Sequence, residues 1–289
     1  MTLTAPMRCS TLAEQLGEPM IGSVDHRVRW LLVEDRSAWG TDAVKDVLGG
    51  DFARDAKARA VRPLLVRRRE GDPEADAVRR AILVDTATRE MAVRTIEHPS
   101  ELAIYDITDA PVAEFGATMS DPIFLVCTNG KRDACCALRG RALVTALAAD
   151  HAERTWECTH LGGHRFAGNL VCLPDGIVYG RVPPAGGPRL ADEYLEGRLD
   201  PSLLRGRSAW PAPAQVAEQE LRVRLGLNGL RDVSLLSVEA DADRATVALF
   251  TPDGSTHRFE LAAERLAPPR PTSCRADEVE EPLHWRVVG

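Results

Sequence analysis

Blocks of apolar and polar positions predict alternating strands and helices in the first part of the chain. Short apolar runs predict strands at 28–34, 63–67, 80–85 and 90–96. Helical spacing and capping residues predict helices at 42–48, 54–61 and 100–105. We interpret this first run as strand, helix, strand, strand, helix.

The same order recurs further along. Strands are predicted at 122–127, 155–158, 170–173 and 177–181, and helices at 139–150 and 192–199. Pro174-Asp-Gly176 supplies a turn between two of these strands. The pattern therefore predicts an α/β protein with two thioredoxin-like (βαββα) domains in tandem, at 1–118 and 119–200.

The region 201–289 has a different pattern. Polar and proline-rich stretches at 205–208 and 211–213 predict a solvated linker, followed by an amphipathic helix at 214–225. Alternating residues at 233–238, 245–250 and 257–261 predict a small β-meander. The tail from Ala267 onward is proline-rich and acidic, so we expect it to be extended or loosely packed.

Composition excludes some partners. The chain has 289 residues, 44% hydrophobic and 27% charged, and a net charge of -7, which argues against non-specific nucleic-acid binding. Its first residues lack the apolar core of a signal peptide, and no apolar run approaches the ~20 residues of a membrane helix. We therefore expect a cytoplasmic protein without a membrane or nucleic-acid partner. Because thiols stay reduced in the cytoplasm, seven cysteines indicate metal binding or redox chemistry.

Two cysteines bracket a loop between a predicted strand and a predicted helix. Cys127 ends the strand at 122–127, and Cys135 and Cys136 precede the helix at 139–150. The helix amino end, with Lys131 and Arg132 nearby, favours thiolates, which both metal binding and redox attack require.

Two histidines supply the other half of the candidate site. His160 and His164 flank Leu-Gly-Gly, which predicts a tight loop with both rings reaching inward. Two sulfurs and two imidazole nitrogens suit either zinc or a [2Fe–2S] cluster. Spacing alone does not choose between the two.

These residues resemble a known family. The Cys-x8-Cys motif of Cys127 and Cys136, followed by His-x3-His, is similar to the sucrase/ferredoxin-like family of thioredoxin-like ferredoxins. The resemblance implies a [2Fe–2S] cluster with Cys127 and Cys136 on one iron and His160 and His164 on the other. Imidazole ligands raise the potential of such a cluster. Around it, the candidates for supporting residues are Arg132, Asp133 and Arg165.

The other cysteines leave alternatives open. Cys135 could replace Cys136 as a ligand, although the family spacing favours Cys136. Cys158 could be a ligand or redox partner, but a buried strand residue is the better interpretation. Cys172 is expected in the core, and Cys9 and Cys274 have no assigned chemistry.

Three functions compete. The first is a one-electron carrier, rather than a stand-alone enzyme, that works with an unknown redox partner protein. The second is a thiol–disulfide protein that uses Cys127 with Cys136 or Cys135, although the chain lacks a Cys-x-x-Cys motif. The third is a binding protein with a structural Cys2His2 zinc site.

Overall fold

The computed structural model describes residues 7–68 and 79–288. A short helix, α1 (Cys9–Gln15), precedes five strands: β1 (Arg29–Glu34), β2 (Val61–Arg67), β3 (Arg79–Asp85), β4 (Glu90–Ile96) and β5 (Ala117–Thr118). The helices between them are α2 (Ala43–Leu48), α3 (Gly50–Ala58) and α4 (Val112–Phe115), with a 3-10 turn at Pro99–Ile104. Residues 1–6, on which part of the signal-peptide expectation rests, lie outside the described residues.

The second half repeats this arrangement with a longer helix. Its strands are β6 (Ile123–Cys127), β7 (Thr155–Cys158), β8 (Leu170–Leu173), β9 (Ile177–Tyr179) and β10 (Leu204–Arg207). Its helices are α5 (Ala134–His151) and α6 (Gly187–Leu195), with 3-10 turns at Ala152–Arg154, His164–Phe166 and Pro184–Gly186. Across the described ranges, no helix is both long enough and apolar enough to cross a membrane.

Strand pairing is the same in the two halves. β1 is parallel to β2 and antiparallel to β3, which pairs with β4. In the same way, β6 is parallel to β7 and antiparallel to β8, which pairs with β9. The α/β class is therefore confirmed, and the predicted hairpin on either side of Pro174-Asp-Gly176 is the pairing of β8 with β9.

One sheet runs through both halves. β2 and β7 pair antiparallel, with Val66 opposite Cys158 and Arg67 opposite Glu157. The result is a ten-stranded sheet in the order β10-β9-β8-β6-β7-β2-β1-β3-β4-β5. An apolar cluster on one face combines residues from both halves, among them Leu32 and Cys127.

The C-terminal region forms a second, smaller sheet. The region begins with the helix α7 (Ala212–Leu225). The sheet consists of four antiparallel strands: β11 (Ser234–Ala240), β12 (Arg244–Phe250), β13 (Thr256–Arg265) and β14 (Leu283–Val287). The predicted meander is confirmed. The tail is extended at its end, as expected, but it is not loosely packed there, because β14 pairs with β13 and buries Trp285.

The expectation of a solvated linker at 205–208 is also wrong. Leu204–Arg207 is the edge strand β10, and Arg205, Arg207 and Ser208 are all buried. Arg207 Nε lies 2.8 Å from Glu218 Oε1 of α7, which neutralises its charge inside the protein.

Candidate metal centre

The end of β6 and the start of α5 bring two predicted ligands together. Cys127 is the last residue of β6, and Cys136 lies in the first turn of α5. Asp133 caps the helix, because its Oδ1 accepts a hydrogen bond from the Cys135 backbone N–H at 2.8 Å. Gly140 permits close approach of helix and strand, since a Cβ there would collide with the carbonyl oxygen of Cys127.

All four predicted ligands lie in one group. The Nδ1 atom of His164 lies 3.4 Å from Cys136 Sγ, and the rings of His160 and His164 stack with centroids 4.0 Å apart. Cys127 closes the group, because it hydrogen-bonds with both Cys136 and His160. The arrangement is a pair of sulfurs beside a pair of imidazoles.

The turn between the histidines depends on two glycines in the left-handed region. Gly162 has φ +83° and Gly163 has φ +66°, a conformation that residues with a Cβ adopt only with strain. Asn169 Nδ2 donates a hydrogen bond to the Gly163 carbonyl oxygen at 3.1 Å. This turn brings both rings to the same side of the loop, where the two cysteines lie.

One half-buried arginine, Arg62, and one buried arginine, Arg205, hold the same loop from outside. Arg62 Nη2 donates to the His160 carbonyl oxygen at 3.1 Å. Arg205 Nη1 donates to the Gly162 carbonyl oxygen at 3.3 Å and to Asn169 Oδ1 at 2.8 Å. Both arginines come from elements that sequence reasoning did not connect with the site.

The local environment favours the metal-binding protonation states of Cys127 and His164, whereas Cys127 and burial raise the pKa of Cys136. Hydrogen bonds from Cys136, and further ones with His160 and a backbone N–H, lower the pKa of Cys127 although burial opposes them. Burial and the charge of His160 lower the pKa of His164 to about 3. A thiolate and a neutral imidazole are the forms that bind metals.

The three predicted supporting residues lie around this group in different roles. Arg132 Nη1 pairs with Asp42 Oδ1 at 2.8 Å. Arg165 Nε pairs with Glu18 Oε1 at 2.6 Å, so its acidic partner belongs to this same chain. Asp133 caps α5, as described above, and also contacts a second cluster of cysteines.

Two of the alternative cysteines are buried in apolar surroundings. Cys158 lies opposite Cys127 on the neighbouring strand, and burial raises its pKa. Cys172 lies in the core that packs against α5, and burial raises its pKa as well. Both thiols are therefore held in the neutral form that suits a core position.

Sequence reasoning missed a second group of metal-ligating side chains. The donor atoms of Cys9, Asp133, Cys135 and Cys274 all lie within 4.8 Å of one another. This buried Cys/Asp group could hold a metal ion. One signal was available in the sequence: adjacent helical residues point about 100° apart, so Cys135 and Cys136 cannot both face one centre.

Solvent reaches the histidine side of the first group through two clefts. One cleft of about 310 Å³ is lined by residues that include Lys45, Lys57 and His160. The other, of about 550 Å³, is lined by residues that include Arg165 and His164. Positive side chains therefore surround the edge at which the imidazoles lie.

Comparison with known proteins places the chain in a family. The profile of the sucrase/ferredoxin-like family matches residues 20–206, which covers both halves of the large sheet. The chain belongs to this family.

Two fungal proteins are similar over a shorter stretch. Both are named "Altered inheritance of mitochondria protein 32": the one from Meyerozyma guilliermondii is 31% identical over 98 residues, and the one from Eremothecium gossypii is 31% identical over 106. These matches cover 30% and 32% of this chain, and the chain spans about a third of each relative's length. No solved structure matches with comparable significance.

Proposed function

We propose that this protein carries a [2Fe–2S] cluster on Cys127, Cys136, His160 and His164 and transfers single electrons. The observation that carries the proposal is the meeting of these four side chains, with the sulfurs adjacent to each other and the rings stacked. In a Rieske centre, one iron takes two cysteines and the other takes two histidines, and the same division would apply to these four residues.

The donor set fits such a cluster. Cys127 has a lowered pKa and His164 is neutral, whereas the neighbouring Cys127 and burial raise the pKa of Cys136, so iron binding would displace the proton of that thiol. Two sulfurs and two imidazole nitrogens also suit a single zinc ion, and the metal assay separates that outcome from a cluster.

The residues of this chain would fix the position of the cluster and the side on which electrons leave it. Arg62, Arg205 and Asn169 fix the histidine loop, and Gly140 fixes the distance between α5 and β6. The bound cluster would supply one-electron chemistry. Electrons would leave on the histidine side, where arginine and lysine side chains suit an acidic redox partner protein.

The proposal also keeps the cytoplasmic location that the sequence predicts. A site that depends on free thiols is maintained most easily in a reducing compartment.

The test begins with the visible spectrum of the anaerobically purified full chain, with iron, sulfide and zinc assayed on the same sample. We expect a red-brown protein with two irons and two sulfides per chain, bleached by dithionite. The double variant Cys127→Ala/Cys136→Ala should be colourless, and His164→Cys should keep a cluster of lower potential. Cys172→Ala is the matched control, because Cys172 is a buried cysteine in the apolar core that packs against α5. This variant should retain the colour.

A thiol–disulfide function is the second candidate, because Cys127 and Cys136 share a hydrogen bond that activates one thiol. A chain that takes up no iron after reconstitution, but forms a reversible disulfide between these two residues, would support that function instead. In a third outcome, the wild type contains zinc but no iron at these four residues, and the double variant has lost that zinc. This outcome would establish the structural zinc site.

A further inference from the structure

The second cysteine group has the dimensions of a single-ion site. Its sulfur–sulfur distances are 3.6 Å for Cys9 and Cys135, 3.3 Å for Cys135 and Cys274, and 3.5 Å for Cys9 and Cys274. Asp133 Oδ2 lies 3.8 Å from the Cys9 sulfur. Four donors at the corners of a tetrahedron, each 2.0–2.3 Å from a central zinc ion, stand ~3.3–3.8 Å apart.

The chemistry of the donors selects the metal. Three thiols are soft ligands, which favour zinc over calcium or magnesium. The three sulfurs converge on one point, whereas the iron atoms of a cluster would hold some of their ligands farther apart. Cys9 and Cys135 are 1% exposed, and Cys274 is exposed, so an ion has an entry path from solvent.

Neighbouring groups are placed to support bound thiolates. The Ser10 hydroxyl donates a hydrogen bond to the Cys135 sulfur at 3.2 Å. The Cys274 backbone N–H donates to Asp133 Oδ2 at 2.7 Å, which fixes the carboxylate toward the sulfurs. Hydrogen bonds of this kind orient first-shell ligands and tune their affinity for a metal.

We propose that Cys9, Asp133, Cys135 and Cys274 form a structural zinc site, separate from the centre that contains Cys136. All four protein ligands are present, as in closed structural sites, rather than three with an open position. Zinc binding displaces the thiol protons to solvent and leaves the metal in its divalent state.

The site would fasten three distant segments of the chain. Cys9 starts α1, Asp133 and Cys135 start α5, and Cys274 lies in the tail, 265 residues after Cys9. The tail then forms one wall of the cleft beside His164, since Thr272, Ser273 and Arg275 line that cleft. The inference does not depend on which metal the first centre holds.

Zinc content of full-length variants tests the site directly. Wild type and the double variant Cys127→Ala/Cys136→Ala should each hold one zinc per chain. Cys274→Ser should lose that zinc while keeping the visible spectrum of the first centre. Ser10→Ala should lower zinc affinity by about tenfold. Cobalt substituted for zinc should give thiolate-to-metal absorption in the wild type and lose it in Cys274→Ser, with Cys172→Ala as the unchanged control.

Several results would overturn the proposal. Zinc retained at full stoichiometry in both Cys9→Ser and Cys274→Ser would place it elsewhere. A wild-type chain that binds no added zinc, or one in which two of the three thiols are joined as a disulfide after anaerobic purification, would also contradict it. Cys274 lies in an exposed part of the tail, so Cys274→Ser remains informative even if Cys9→Ser fails to fold.

Discussion

The loop between the two histidines depends on the residue at position 163. Gly163 has a positive φ, and a Cβ added there would also run into the guanidinium group of Arg205. The position therefore carries two separate restrictions, one from the backbone and one from packing. Gly197 has a similar φ of +77° but no neighbour within 4 Å of its would-be Cβ, so it carries only the first.

We predict that Gly163→Ala destabilises the protein and lowers occupancy of the first metal centre. The strained backbone costs ~1–2 kcal/mol, and overpacking against Arg205 adds about 1–3 kcal/mol. Urea unfolding and iron content measure the two effects. Gly197→Ala is the control, with the backbone cost alone and normal iron content; equal losses in both variants would contradict the packing argument.

Sequence spacing identified the four residues that meet in the first group, but it could not separate the roles of the adjacent cysteines. Cys136 faces His164, whereas Cys135 faces Cys9 and Cys274. The partners of Cys135 lie 126 and 139 residues away in the chain. A local motif contains no information about contacts at such separations.

The edge strand β10 is the element whose prediction failed most clearly. Arg205-Gly-Arg-Ser208 has the composition of a solvated linker, because nothing local reveals that its two arginines are neutralised or hydrogen-bonded inside the protein. Arg205 donates to Ser23 and Asn169, and Arg207 pairs with Glu218. By contrast, apolar runs such as that of β6 predicted their strands within a residue or two.

Replacing Arg205 by methionine should loosen the histidine loop. The change leaves the Gly162 carbonyl and the Asn169 side chain without their buried donor, at a cost of about 1–3 kcal/mol for each group. The measurement is urea unfolding, together with the rate at which iron is lost to a chelator.

Arg224→Met provides the matched control for that variant. Arg224 is exposed, pairs with Glu220 on the same helix and lies over the Phe259 ring, far from the histidine loop in the contacts it makes, so its removal should cost ~1 kcal/mol and leave iron loss unchanged. Iron loss at the wild-type rate in Arg205→Met would show that β10 does not position the loop.

At the scale of the whole molecule, a buried charge cluster joins α7 to the large sheet. Glu218 Oε1 lies 2.8 Å from Arg207 Nε of β10 and 2.9 Å from Arg222 Nε of α7, and all three residues are buried. Such a cluster is costly to break, because each remaining charge stays out of water without a partner.

We predict that Glu218→Gln lowers the free energy of unfolding by about 3–5 kcal/mol, since two buried guanidinium groups lose their counter-ion. Glu220→Gln, two residues further along α7 and partly exposed, should cost at most ~1 kcal/mol. Thermal and urea unfolding of the two variants compare them directly. A similar loss of unfolding free energy in the two variants would mean that burial of the charge cluster around Glu218 does not matter.

The continuity of the sheet could not be predicted either. Local patterns defined each half, but pairing of β2 with β7 joins strands about 90 residues apart through only two residue pairs. Once formed, that pairing brings β2 beside the site, so that Arg62 reaches the His160 carbonyl oxygen.

This junction has a consequence for any attempt to shorten the protein. A fragment cut to the second half would keep all four cysteine and histidine ligands of the first centre. It would also expose the backbone hydrogen-bonding edge of β7, which invites self-association, and it would lack Arg62. We therefore expect the proposed centre to form stably only in a chain that includes both halves of the sheet.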